Sequence, residues 1–367
     1  MELVEGSLEE TLQHLAKEKP DDFPTGHTNL NYFKRYTDLR DKLNAEFHPH
    51  VRTGAMITDG GLLTDHGPDH IKTVINRSGQ LLHIKDDKQG YDLTGYEIYL
   101  LLVAIHFHDV ANILGRDDHE KRIGDVMAKY SSHLGDSVEQ EYIQKIAGAH
   151  GGNIDGDKDT ISRLPYEEPV NCKRIRLQIL ASILRFADEL ADDSSRASTT
   201  IQEFNNIPGG SEVFHKYASC LNSVMVDPSA KSVELHFFVN VADLTRTFGK
   251  KTNDGVEQVY LLDEIYSRTL KTHIERIYCS RFMVPFVDIR TIYVRVKGLR
   301  AGEEIGEKMP TIDYRLEETG YPEAKKGGVL NMCGISRNWN GGPKKLTGEV
   351  LAKKLIKDAK NKGNGDA

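Results

Sequence analysis

The sequence predicts a mainly α protein, with a helical core and a smaller α+β region toward the C-terminus. Three observations carry this expectation. Between about Gly60 and Asp193 apolar residues recur at spacings of three and four, as in Ile71/Val74/Ile75, Val138/Tyr142/Ile143/Ile146 and Ile175/Ile179/Leu180/Ile183/Leu184/Ala187. Thr94-Gly95-Tyr96-Glu97 is a capping box placed just before the apolar run Ile98 to Phe107, so a helix starts there. After Asp193 the period falls to two, and Ser232 to Val239 and Ile289 to Val296 alternate like strands with one buried face.

Taken in order, the patterns divide the chain into an N-terminal helical extension (1–55), a helical core (56–205), an α+β region (206–300) and a Gly/Lys-rich tail (301–367). Pro20 to Pro24 breaks the first part, which reads as an extension followed by one helix over about Tyr32 to Phe47. In the third part, Val224-Met225-Val226 followed by Asp227-Pro228-Ser229-Ala230 reads as the first arm of a hairpin. Asn253-Asp254-Gly255-Val256-Glu257, acidic like a first helical turn, is expected to open a long helix to about Phe282. The tail reads as a solvated helix around Leu346 to Asp358 with a disordered end, or as a basic flap touching an anionic ligand or a neighbouring subunit.

Composition narrows the class. With 367 residues, 38% hydrophobic and 28% charged, the chain is a soluble globular protein of one large or two moderate domains. A net charge of −7 argues against strong nucleic-acid binding. There is no run of membrane-spanning length, and the first residues lack the basic and apolar regions of a signal peptide, so no membrane partner and a cytoplasmic location are expected. Cys172, Cys220, Cys279 and Cys333 are far apart, which suggests neither a disulfide framework nor a thiolate zinc site.

The chemistry concentrates on His108-Asp109, at the end of the apolar run. An imidazole beside a carboxylate is costly to bury without a partner, and a metal ion is the simplest one. His70, in Asp69-His70-Ile71, and Asp188, in Ala187-Asp188-Glu189, add two donors from two further helical segments. Two imidazoles and two carboxylates suit a divalent ion of the Mn, Fe, Co or Zn type, and Mg less comfortably. Such an ion polarises a phosphoryl oxygen and activates water, with Asp109 both binding the ion and orienting the water.

These residues resemble a known family. His70-x-x-x-Val74, His108-Asp109 followed by Val110-Ala111-Asn112, and Arg185-Phe186-Ala187-Asp188-Glu189-Leu190 look like the motifs of the HD-domain metal-dependent phosphohydrolase superfamily, over roughly Leu62 to Arg196. The resemblance implies an all-helical HD-domain core with the ion held among its helices. Two branches are most similar: HD proteins with an Asp-His-Gly-x-x-His opening, often found beside ATPase or defence-related modules, and the deoxynucleoside triphosphate triphosphohydrolases. Likeness to the second implies that the loop Ile113 to Glu120 supplies His119 as proton donor to the leaving oxygen, with Glu120 orienting it. Asn112, where that branch usually carries a second His instead, is a candidate substrate contact of this chain.

Around the ligands, Arg116, Arg185 and Arg196 are candidate phosphate contacts, although Arg185 equally suits a neighbouring acid. His66 either contacts a substrate phosphate or caps the helix of His70, and His150 either contacts substrate or joins His119 in a second metal site. The leading expectation is a triphosphohydrolase of deoxynucleotides acting in antiviral defence, with a nucleotide as substrate and as allosteric effector and with a homo-oligomeric assembly. Its alternatives are a phosphodiesterase or nucleotidase for a signalling nucleotide, and a nucleotide-sensing regulator that signals to a partner protein.

Overall fold

The computed structural model describes residues 7–25, 31–50, 67–83, 92–110, 122–151, 156–191, 209–252, 254–300, 302–305, 309, 311–318 and 346–363. It is mainly helical with a sheet-containing C-terminal part, as the periodicities predict. Two compact units emerge: Met1–Thr58, Asp65–Ala191 and Tyr278–Asp288 form one, and Asp59–Thr64, Asp192–Ile277 and Ile289–Ala367 the other.

The first unit contains α1 (Leu8–Glu18), α2 (Tyr32–Glu46), α3 (Pro68–Leu81), α4 (Gly95–Phe107), α5 (Ile123–Lys129), α6 (Ser137–Gly148), the short hairpin β1 (Glu168–Val170) and β2 (Lys173–Ile175), and α7 (Leu177–Glu189). Every residue of α4 is buried. A helix apolar on all sides has no face for water, so others must surround it; α1, α2, α3, α6 and α7 all touch it. Its start is fixed by the capping box: Thr94 Oγ1 accepts from the Glu97 amide at 3.2 Å, and Glu97 Oε2 accepts from the Thr94 amide at 3.0 Å. Glu97 is itself buried, and Arg176 neutralises it at 2.6 Å.

The N-terminal segment differs from its reading as an extension with one helix. Leu8, Leu12 and Leu15, spaced four and three apart, form the fully buried stripe of α1, and Ser7 caps it by accepting from the Glu10 amide at 3.1 Å. Beyond α1, Asp22 Oδ2 accepts from the Gly95 amide at 2.9 Å, tying the Pro20 break to the start of α4.

The second unit contains α8 (Glu212–Cys220), β3 (Leu221–Asp227), β4 (Ser232–Asn240), α9 (Val241–Leu244), β5 (Thr247–Thr252), β6 (Gly255–Tyr260), the long helix α10 (Leu261–Met283, its last turns in the first unit), β7 (Thr291–Arg300), β8 (Glu303–Glu304), β9 (Ile312–Glu317) and α11 (Gly348–Gly363). β3 and β4 form the expected antiparallel hairpin, and β4 pairs β7 in parallel, Val233 opposite Ile292 and Leu235 opposite Val294. Parallel neighbours need a long crossover, and α9 through α10 supply it. The far edge of β7 carries β9 and the two residues of β8.

Two corrections arise here. Residues 255–260 form a strand paired with β5, and α10 begins only at Leu261. Gly255, which pairs Thr252 at the start of the returning strand, takes a positive φ of 129° that glycine reaches without a Cβ penalty, and this turn-closing glycine outweighs the acidic first-turn reading. Part of the tail is also ordered into the sheet, because Ile312-Asp313-Tyr314-Arg315-Leu316-Glu317 alternates buried with solvated residues. The terminal helix expected near Leu346 is α11, whose Gly348 amide donates to Asp263 Oδ1 at 2.8 Å.

Gly95 tests the docking of the N-terminal segment onto α4. A Cβ there would lie 2.5 Å from the Phe23 ring. Gly95→Ala should therefore destabilise the protein by about 1–3 kcal/mol through overpacking, although alanine is the better helix former. Urea denaturation measures it, and an unchanged or raised midpoint would contradict this packing.

Candidate metal centre

The ends of helices build the site. Pro68 begins α3, so His70 lies in its first turn, and it is 1% exposed. At the C-terminus of α4, His108 is the capping residue and Asp109 follows it, both buried. Asp188 occupies the last turn of α7, and His150 lies just past the end of α6. Three helix C-termini deliver His108 with Asp109, His150 and Asp188, and their partial negative charge favours a cation, while His70 comes from the N-terminal turn of α3.

Distances define the cluster. His70 Nε2 lies 3.3 Å from His108 Nε2, 3.2 Å from Asp188 Oδ1 and 3.5 Å from Asp109 Oδ2. His108 Nε2 lies 3.1 Å from Asp109 Oδ2 and 3.6 Å from Asp188 Oδ1. One donor atom from each of the four residues falls within 4.8 Å of every other. Donors about 2.1 Å from one ion stand about 3.0 Å apart at right angles and about 4.2 Å apart across it, so these spacings fit a shared divalent ion.

Tautomers fit as well. His108 Nδ1 lies 2.7 Å from the Ile105 carbonyl, which can only accept. The Nδ1 proton is therefore given to Ile105, and Nε2 faces the carboxylates. Such an outer hydrogen bond is the usual support of a ligating histidine. His150 repeats the device, with Nδ1 at 2.6 Å from the Ala147 carbonyl and Nε2 at 3.7 Å from Asp109 Oδ1.

Electrostatics point the same way. Burial opposes charge on His108, yet Asp109 and then Asp188 raise its pKa to about 10. Burial alone would raise Asp188, but hydrogen bonds and charge from His108 and His70 hold it well below the carboxylate range. In the ion-free protein a proton thus supplies the positive charge that the carboxylates demand.

The model of the family described as HD-CE matches residues 60–268, more than half of the chain. The chain belongs to the HD-CE family. No curated protein and no solved structure matches it. The HD-CE match includes His70, His108, Asp109, Asp188, His150 and Arg185, and it extends beyond the motif region into the first turns of α10. Helices α1 and α2 lie before it.

Of the other candidates in this HD-CE chain, His66, Asn112, Arg116, His119, Glu120 and Arg196 lie outside the described residues. Arg185 is tied to the 158–160 segment. Its Nη1 donates to the Lys158 carbonyl at 3.1 Å and to Thr160 Oγ1 at 3.0 Å, and its guanidinium lies 4.5 Å from the Tyr278 ring centre. These contacts fasten the 158–160 segment to α7.

Sequence reasoning missed two histidines. His48 and His106 are each 1% exposed, and their rings stack with centroids 5.4 Å apart. Burial, then the nearby His108 and His70, lower the pKa of His48 to about 4, and burial, then His48, hold His106 well below the usual imidazole range. Only the high density of histidine in Phe47-His48-Pro49-His50 and His106-Phe107-His108 hinted at them.

The centre should show proton-linked metal binding. Binding an ion expels the proton of His108, so Mn²⁺ affinity should rise with pH, by about tenfold per unit for one released proton, between pH 6 and 8. In the ion-free protein the stability sign is opposite. The raised pKa contributes fully below about 6.5, the unfolded value, and is lost as pH rises through about 10. Titration calorimetry and thermal melts read both slopes, and a pH-independent affinity would count against the assigned His108 proton.

Proposed function

We propose that this protein is a metal-dependent nucleotide phosphohydrolase that cleaves deoxynucleoside triphosphates to deoxynucleoside and triphosphate. The observation that carries the reading is the clustering of His70, His108, Asp109 and Asp188 within 4.8 Å at the ends of three helices. A divalent ion held there supplies Lewis acidity toward a phosphoryl oxygen and lowers the pKa of water.

The chain's own residues do the rest. His70, His108, Asp109 and Asp188 hold the ion, and the proton given to Ile105 keeps His108 Nε2 aimed inward. Asp109 has a second oxygen, 3.7 Å from His150 Nε2, placing this carboxylate between the metal ligands and a histidine able to contact a phosphate. In this reading Asn112, Arg116 and Arg196 contact the phosphates, while His119 donates the proton to the leaving oxygen and Glu120 orients it. A nucleotide effector, a homo-oligomeric assembly and a role in antiviral defence belong to the same proposal. Among the described residues no helix is long and apolar enough to cross a membrane.

One observation favours a second reading. With its Nδ1 proton given to Ala147, His150 turns Nε2 toward Asp109 Oδ1, so two acceptors face each other unless a proton or cation lies between them. A second ion, which Asp109 and His150 would help to hold, would suit a phosphodiesterase or nucleotidase acting on a signalling nucleotide.

Products decide between them. Mn²⁺-loaded protein incubated with each nucleotide class is expected to release deoxynucleoside and inorganic triphosphate, with turnover abolished in His108→Ala and Asp109→Ala. Release of monophosphate or pyrophosphate only, with two ions per chain, would support the second reading and overturn the first.

A further inference from the structure

Behind the centre runs a buried line of hydrogen bonds that starts in α1. Glu9 Oε1 accepts from Arg40 Nη1 at 2.9 Å and from the Tyr36 hydroxyl at 2.7 Å. The Tyr36 oxygen lies 3.2 Å from His106 Nε2, and His106 Nδ1 lies 3.1 Å from His48 Nε2. Tyr36 is fully buried, as is His106 to within 1%, so no water competes for these bonds.

Counting protons gives the line a direction. Tyr36 has one proton and gives it to Glu9, so its oxygen must accept from His106 Nε2–H. A neutral imidazole that donates from Nε2 presents its lone pair at Nδ1, so His106 Nδ1 accepts from His48 Nε2–H at 3.1 Å. Both histidines are thereby locked as Nε2–H tautomers. His106 is held at both nitrogens, and its backbone lies in the last turn of α4, next to the Ile105 carbonyl that fixes His108.

We propose that Glu9, Tyr36, His106 and His48 form a positioning chain for the metal centre, through which α1 and α2 set the orientation of the turn carrying His108 and Asp109. The inference rests on the metal reading of the four-residue cluster. It extends the metal-binding unit to a segment that the HD-CE match does not include. None of these four residues need touch the ion. They act by allowing one rotation of the α4 terminus, as the outer partners of ligating residues do.

The test uses the full chain and Mn²⁺ alone. Tyr36→Phe keeps the ring and removes the acceptor of the His106 proton, and His48→Leu removes the donor to His106 Nδ1. Both should weaken Mn²⁺ binding by about 10–100-fold in calorimetry while the ion-free proteins keep a cooperative melt. His48→Gln, which restores an N–H donor near the Nε2 position, should recover most of the affinity. Packing alone would lower the melting temperature and leave the affinity unchanged, so Tyr36→Phe and His48→Leu binding Mn²⁺ within twofold of wild type would overturn the proposal. If those variants fail to fold, ¹⁵N-histidine spectra of the wild type decide. His48 and His106 must both report Nε2–H tautomers and shift on adding Zn²⁺, and Nδ1–H tautomers or unmoved signals overturn the chain. A wild type that binds neither ion refutes the metal reading itself, a separate failure.

Discussion

Two ionised carboxylates packed within 4.8 Å of each other and of two neutral imidazoles cannot stay so without a compensating cation. That requirement shapes the first unit. Removing water from buried Asp109, and partly from Asp188, is costly unless positive charge is fixed beside them, and in the ion-free protein these carboxylates favour the charged form of His108. A divalent ion meets it better, because two positive charges face two carboxylates and all four donors find one partner. Proton and ion are alternatives at one place.

Delivering such groups to a dry site demands rigid carriers. α4 is buried along its whole length and cannot rotate to relieve strain, so its C-terminus is as fixed as the core around it. Its start is held as firmly, since Glu97 both closes the capping box and pairs with Arg176. Errors at either end of a rigid rod carry to the other, which links the capping residues, though remote in sequence, to the placement of His108 and Asp109. The C-termini of α6 and α7 add His150 and Asp188 on the same electrostatic terms.

What the sequence made legible follows from this geometry. His70, His108, Asp109 and Asp188 stood out because each is a polar residue where an apolar periodicity starts or stops, and that signal is local. The α4 capping box and the alternation of β4 and β7 were readable for the same reason. α1 escaped, although its leucines repeat at helical spacing, because charge around Glu9 and Glu10 and the break at Pro20 hid the stripe. β6 escaped because Glu257 imitates a helix start while the deciding signal was Gly255, which closes the turn opposite Thr252. His48 and His106 had no local signal. They are 58 residues apart, and only the folded chain brings His48 Nε2 to His106 Nδ1.

Burying ionisable groups without a function is expensive, which makes the Glu9 line informative. Glu9 and Arg40 neutralise each other at 2.9 Å, but packed apolar side chains would fill the same volume at lower cost. Two neutral imidazoles and a phenol in series are likewise a poor choice for stability, because loss of one member leaves the others unpaired in a dry core. What this arrangement gives that leucines cannot is direction. Each proton has one place to go, so each ring has one orientation, and a catalytic metal site needs its ligands held within a fraction of an ångström. The polar line costs stability and returns orientational order at the α4 terminus, where His108 and Asp109 require it.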